Sequence, residues 1–182
     1  MQALQLLLNR TSYNKLAEPA PTGEALDNIF KAAVAVPDHG ALTPYRFIVF
    51  KDKALTDLGE IFAEAAEAEQ ADCEQIEKAK QMPQRAPLVI AVVVSLTPDH
   101  KIPESEQRLT AGCAAHAMQM AAVAQGFQGI WRSGAYSYNA HVKQQLKLSE
   151  NEHIVGFLYL GSAIGEVPEK SRPDVKNYIQ YW

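Results

Sequence analysis

The chain has 182 residues, 47% of them hydrophobic and 21% charged, a balance that fits one globular domain and excludes disordered, collagen-like and coiled-coil rod chains. Its 17 Lys and Arg against 21 Asp and Glu leave a net charge of −4, so there is no basic excess to neutralise nucleic acid phosphates. The 2 cysteines, Cys73 and Cys113, are too few for a disulfide framework or a thiolate metal site, and read as reduced thiols in a cytoplasmic protein. The longest strongly apolar run, Leu88 to Val94, falls well short of the roughly 18 residues of a membrane span. Met1 leads into an amphipathic segment with no basic region before it, so no signal peptide is read.

Leu4, Leu7 and Leu8 sit at helical spacing and predict a short helix that stops near Asn9. The polar stretch from Arg10 to Lys15 follows, and Pro19 and Pro21 keep the chain extended. Thr22 is a good N-cap for a helix carrying Leu26, Ile29, Phe30 and Ala33, which Pro37 ends. Arg46 to Phe50 reads as a strand, and Leu55, Leu58, Phe62 and Ala65 predict a helix behind it. Residues 66–85 are polar, with no signal beyond a candidate exposed helix. Leu88 to Ser95 is β-branched without alternation, the pattern of a central strand covered on both faces.

Glu104 to Gln125 is the longest helical pattern, with Gly126 as its C′ residue. The small residues Thr110 to Ala115 in its middle predict close approach of another backbone, within the fold or at an interface. Phe127 to Arg132 reads as a short strand, Asn139 to Leu148 as a helix and Ile154 to Leu160 as a further strand. The tail from Gly161 ends in Tyr178-Ile179-Gln180-Tyr181-Trp182. An apolar aromatic terminus favours burial. Docking on its own subunit is the simpler expectation, and crossing to a partner chain as an added strand is the sharper one.

Several chemistries are excluded. There is no P-loop, no Gly-x-Gly-x-x-Gly fingerprint and no Gly-x-Ser-x-Gly elbow. His39, His100, His116, His141 and His153 never fall at metal-ligand spacing with one another. His116, within the small-residue helix, reads as a packed core histidine rather than a base. Three patches remain: Arg10-Thr11-Ser12, Trp131-Arg132-Ser133-Gly134 and Lys170-Ser171-Arg172. Each joins a cation to hydroxyls, the chemistry that holds a phosphate or the polar edge of a flavin. Taken singly, each is also what a solvated surface patch looks like.

Several strings together resemble the nitroreductase family of FMN-dependent oxidoreductases, over nearly the whole chain. They are Leu7 to Ser12, Leu16 to Glu24, Pro37-Asp38-His39 with Pro44 after it, Gln119 to Phe127, Gly129 to Gly134 and Ile154 to Gly161. The Gly-Ile-Trp-Arg-Ser-Gly string, with the helix end before it, is the most specific of these.

The resemblance implies an α+β, three-layer fold over residues 1–182, with a central, mainly antiparallel sheet flanked by helices. It implies a homodimer that exchanges its C-terminal segment and holds two FMN molecules in its interface. Arg10, Thr11, Ser12, Trp131, Arg132 and Ser133 would contact FMN from one subunit, and the Ala35 to His39 turn from the other. Lys170 and Arg172 look like the Lys-x-Arg pair that longer members place on the phosphate. Many members have Gln-Pro-Trp where this chain has Thr43-Pro44-Tyr45. Short members carry arginine at the position of Ala35, so Lys170 or Arg172 would replace that basic contact.

The implied chemistry is ping-pong transfer of hydride from NAD(P)H through flavin N5 to a nitroaromatic, quinone or similar acceptor. No dedicated acid or base is needed, and Arg10 or Lys15 would stabilise negative charge near N1. The alternatives are an FMN-binding carrier or sensor, and a flavin or quinone reductase sharing the same site.

Overall fold

The computed structural model describes residues 2–182. In chain order its elements are α1 (Ala3–Asn9), β1 (Leu16–Ala17), α2 (Gly23–Ala33), β2 (Tyr45–Lys51), α3 (Lys53–Ala68), α4 (Cys73–Gln81) and β3 (Leu88–Ser95). They continue with α5 (Glu104–Ala124), β4 (Gln128–Arg132), α6 (Ala135–Tyr138), α7 (Ala140–Gln145) and β5 (Glu152–Ala163).

β5 is the hub of the sheet. It pairs antiparallel with β3 and with β4, and its last residues take the short β1; β3 in turn pairs antiparallel with β2. Successive strand side chains point to opposite faces, and that alternation divides the core in two. Val89, Ala91, Phe157 and Tyr159 pack with Leu58, Phe62 and Ala65 of α3. Leu88, Ile90, Val92, Leu158 and Leu160 pack with Ile29 and Ala33 of α2 and with Ala114, Ala115, Met118 and Ala122 of α5. Helices therefore cover both faces of the sheet, which makes the fold α+β in three layers. It also explains the unbroken apolar run of β3, whose first seven residues are all buried. Each such Val, Leu or Ile contributes roughly 1.5–3 kcal/mol by leaving water.

Several helix limits follow local chemistry. Gly126 takes φ +90° just after α5, a conformation that disfavours a β-carbon. Thr22 is extended at the N-cap of α2, although its side chain makes no capping bond. The candidate exposed helix within 66–85 is α4. Its start is set by a reciprocal box: the Gln75 N–H donates to Asp72 Oδ1 at 2.8 Å, and the Asp72 N–H to Gln75 Oε1 at 3.2 Å. The predicted Asn139–Leu148 helix is shorter, Ala140–Gln145, with Asn139 as its cap.

One charged pair ties β2 to β5 across β3. Arg46 donates from Nε to Glu152 Oε1 at 2.5 Å and from a terminal nitrogen to Oε2 at 2.9 Å. Ser95 Oγ and the Ser149 N–H also donate to this carboxylate. With these donors, Arg46 foremost, the Glu152 carboxyl is lowered to about 2 against the cost of burial.

The tail corrects the simpler expectation for its location. Every residue from 168 to 182 is exposed, Trp182 fully so, and the terminus does not dock on its own subunit. α1 buries no residue either: Leu4, Leu7 and Leu8 are all at least 60% exposed. No helix among the described residues is long and apolar enough to cross a membrane.

Candidate functional site

β4 is short and pairs on one side only with β5. Its last two side chains part company because of strand alternation. Trp131 stands opposite Leu158 on the α5 side, and Arg132 opposite Phe157 on the α3 side. The indole Nε1–H donates to the Val155 carbonyl at 3.4 Å. This placement needs glycine at 156, where a Cβ would fall 2.6 Å from Trp131 Cδ1 and 2.8 Å from the Arg132 carbonyl oxygen. The Arg132 guanidinium lies over the Tyr159 ring, 5.8 Å from its centroid. Arg132, Ser133 and Gly134 line a cavity of about 280 Å³ with Arg85, Tyr136 and Phe62. Burial pushes the Tyr159 phenol up, while Arg132 and Arg85 pull it down.

Beside this strand runs the loop after α1. The Tyr13 N–H donates to the Gly129 carbonyl at 3.0 Å, and its hydroxyl to the Ile164 carbonyl at 2.6 Å. Tyr13 thus fixes the preceding Arg10-Thr11-Ser12 against β4 and the end of β5. Arg10 donates to Ser12 Oγ at 3.2 Å, and Arg172 from the tail donates to the Arg10 carbonyl. Among the described residues the buried Arg10 Nε and Thr11 hydroxyl have no hydrogen-bond partner. Burial and then the charge of Arg172 lower the Arg10 guanidinium from its ordinary value. Among the described residues neither arginine has a carboxylate partner. Two adjoining cations, two hydroxyls and an orphaned guanidinium N–H form the donor set that suits a phosphate monoester.

On the α5 side, Val36, Pro37, Leu109, Gly112, His116 and Trp131 line an open groove. His116 is exposed there, which overturns its reading as a packed core histidine. The small residues of α5 split by face: Ala111, Ala114 and Ala115 lie against the sheet, whereas Cys113 faces outward with Leu109.

The Nitroreductase family model matches residues 7–162. A relative from Escherichia coli strain K12 named "Putative NAD(P)H nitroreductase YdjA" is 48% identical over 162 residues, 89% of this chain and 88% of its own. A Haemophilus influenzae protein named "Putative NAD(P)H nitroreductase" is 37% identical over 183 residues, covering both chains fully. The chain belongs to the nitroreductase family. The solved structures agree in fold. The nitroreductase-like family protein from Bacillus cereus superposes with a TM-score of 0.89 at 18% identity, over 100% of this chain and 96% of its own. An FMN-dependent nitroreductase from Clostridium difficile R20291 gives 0.72 at 20% identity, over 98% of each chain.

The nitroreductase strings singled out in the sequence meet in part. Arg10, Thr11, Ser12 and Arg172 converge, and the loop that bears the first three is tied to β4. Trp131 and Arg132 diverge, so their two side chains do not face a single ligand edge, whereas the main chain at Trp131–Ser133 runs along one. Ser133 and Lys170 are exposed. Ala35 and His39 lie on the exposed turn after α2, with the His39 Nδ1 2.5 Å from Glu106 Oε2. Sequence reasoning missed Arg85, Tyr13 and Gly156. For Gly156 a signal existed, because an isolated glycine in a buried strand marks a close approach. Arg85 and Tyr13 carried none.

Proposed function

We propose that the protein is an FMN-dependent oxidoreductase that passes hydride from NAD(P)H to a nitroaromatic, quinone or similar acceptor in a ping-pong cycle. The observation that carries this reading is the buried, unpartnered pair of donors, Arg10 Nε and Thr11 Oγ1, beside Ser12 and Arg172. Burying such donors unpaired costs about 1–3 kcal/mol each, a penalty that a bound phosphate removes. Family membership and the names of the relatives supply the chemistry.

In this reading Arg10, Thr11, Ser12 and Arg172 hold the FMN phosphate, with Lys170 near it. The main chain at Trp131–Ser133 borders the ring, Arg132 adds a cation, and Lys15 supplies charge toward N1. The turn bearing Ala35 and His39 closes the site from the second subunit of a homodimer. When bound, the flavin supplies two-electron exchange at N5. The chain positions the group and excludes water around it. The exposed leucines of α1, Leu109 of α5 and the aromatic tail are the apolar surface that a second copy would cover.

Heat-denatured protein is expected to release FMN, identified by chromatography, and NADH or NADPH is expected to bleach the yellow protein without air. A colourless protein that gains no flavin absorbance with added FMN would exclude the reading. A yellow protein that neither nicotinamide bleaches would instead be a carrier or sensor.

A further inference from the structure

Ser137 of α6 borders two cavities. One is the Arg132 cavity described above; the other, of about 300 Å³, is lined by Arg108 of α5, Lys143 of α7 and His153 of β5. Among the described residues no carboxylate lines this second cavity, and its apolar wall is Val94, Ile154 and Val155. The cations are weakly committed elsewhere. Arg108 has only Glu104 at 3.6 Å, both side chains being about half exposed, and Lys143 Nζ donates to the neutral Glu150 carbonyl at 2.9 Å. The Ser137 hydroxyl, in the wall, is buried at 8% residue exposure and has no partner.

We propose that this cavity is an anion subsite, which takes the carboxylate or phosphate of a small aromatic molecule whose ring lies against the cavity's own apolar wall. The proposal rests on the flavin reading only for the role of that molecule, as electron acceptor or nicotinamide donor. The binding chemistry belongs to the cavity itself: two permanent cations, an imidazole and an unpaired hydroxyl against an apolar floor favour an anion joined to a flat ring. Charge on the imidazole behaves consistently. Burial holds His153 below its ordinary value, Arg108 and Lys143 lower it further, and Glu104 opposes them; His153 also shares a second cleft with the carboxylates of Glu104 and Glu150. An anion placed among these groups reverses the local balance and favours the protonated ring.

The test is a titration of histidine-labelled holoprotein, followed by NMR, with benzoate, inorganic phosphate and neutral benzamide as probes. Benzoate or phosphate is expected to move the His153 resonances and raise its midpoint by about one pH unit, and benzamide to do neither. Lys143→Ala is expected to weaken anion binding about tenfold or more. A response to benzoate alone assigns the subsite to an acceptor carboxylate; a response to phosphate assigns it to the nucleotide. A silent His153, or equal affinity for benzoate and benzamide, overturns the proposal, and the wild-type titration decides this even if the variant fails to fold. Flavin content measured on the same samples separates the two readings. Anion binding without FMN would sink only the flavin reading, and FMN without anion binding would sink only the subsite.

Discussion

Arg172 donates a hydrogen bond to the main-chain carbonyl of Arg10, joining residues 162 positions apart. The contact brings two guanidinium groups together with no carboxylate between them, and the proximity of Arg172 lowers the Arg10 guanidinium. An anion placed between the two would replace their mutual repulsion with two attractions. Arg172→Ala is therefore expected to weaken FMN binding about 10- to 100-fold, the equivalent of one charge-assisted hydrogen bond. Fluorescence titration of apoprotein with FMN measures it.

Arg132 offers a sharper discrimination, because its guanidinium already has the Tyr159 ring as a partner. If it serves the cofactor, Arg132→Ala loosens FMN about tenfold or more, and lysine fails to restore it because the bidentate fork is lost. If it serves only the aromatic wall, the FMN dissociation constant stays unchanged, and the variant loses only the roughly 0.5–2 kcal/mol of a cation–π contact.

Gly156→Ala is expected to destabilise the protein by about 1–3 kcal/mol, because the new methyl collides with the Trp131 indole and the Arg132 carbonyl. Urea unfolding measures the loss. Removing the indole with Trp131→Ala should make the glycine substitution less costly, so the double variant should lose less stability than the sum of the two single variants.

The Glu152 carboxyl titrates at about 2 in the folded protein against an ordinary 4.5. A depressed pKa adds stability that is present above the ordinary value and is lost as pH falls from 4.5 toward 2. Glu152→Gln should thus be about 1–3 kcal/mol less stable than wild type at pH 7, a range that allows for solvent around the half-exposed Arg46. The two proteins should converge near pH 2. Denaturant unfolding across that range is the measurement, and parallel curves would show that the pair is not the source.

Deleting residues 178–182 removes Tyr178, Ile179, Tyr181 and Trp182, all of which face solvent in the single chain. In the proposed homodimer these side chains dock on the second copy, so dimer stability and FMN retention should fall together. Sedimentation and flavin content report the two effects. A truncated protein that keeps both would leave the tail without a role at the interface.

Much of the architecture is written in local pattern. The unalternating run Leu88 to Ser95 announces a strand with both faces covered, and the Gly126 stop and the 104–125 periodicity define α5 nearly to the residue. α4 was less visible, because its reciprocal Asp72–Gln75 cap lies in a stretch whose mean composition is polar. His116 shows the reverse failure: helical spacing places it on α5, but spacing alone does not say which face of a small-residue helix meets the sheet.

The candidate site divides the same way. Residue type at Arg10-Thr11-Ser12, Trp131-Arg132-Ser133 and Lys170-Ser171-Arg172 marks phosphate chemistry, since cations beside hydroxyls serve that use in any fold. Their assembly depended on the sheet. Strand alternation in β4 sends Trp131 and Arg132 to opposite faces, the Tyr13–Gly129 bond sets the first loop beside that strand, and the tail brings Arg172 but not Lys170 onto Arg10. Periodicity and capping act within a few residues, so the longer helices and strands were legible locally, whereas the two-residue β1 and the four-residue α6 carried no such pattern. Which distant side chains meet was decided by strand register and by loops closing over more than a hundred residues, and no local pattern carries that information.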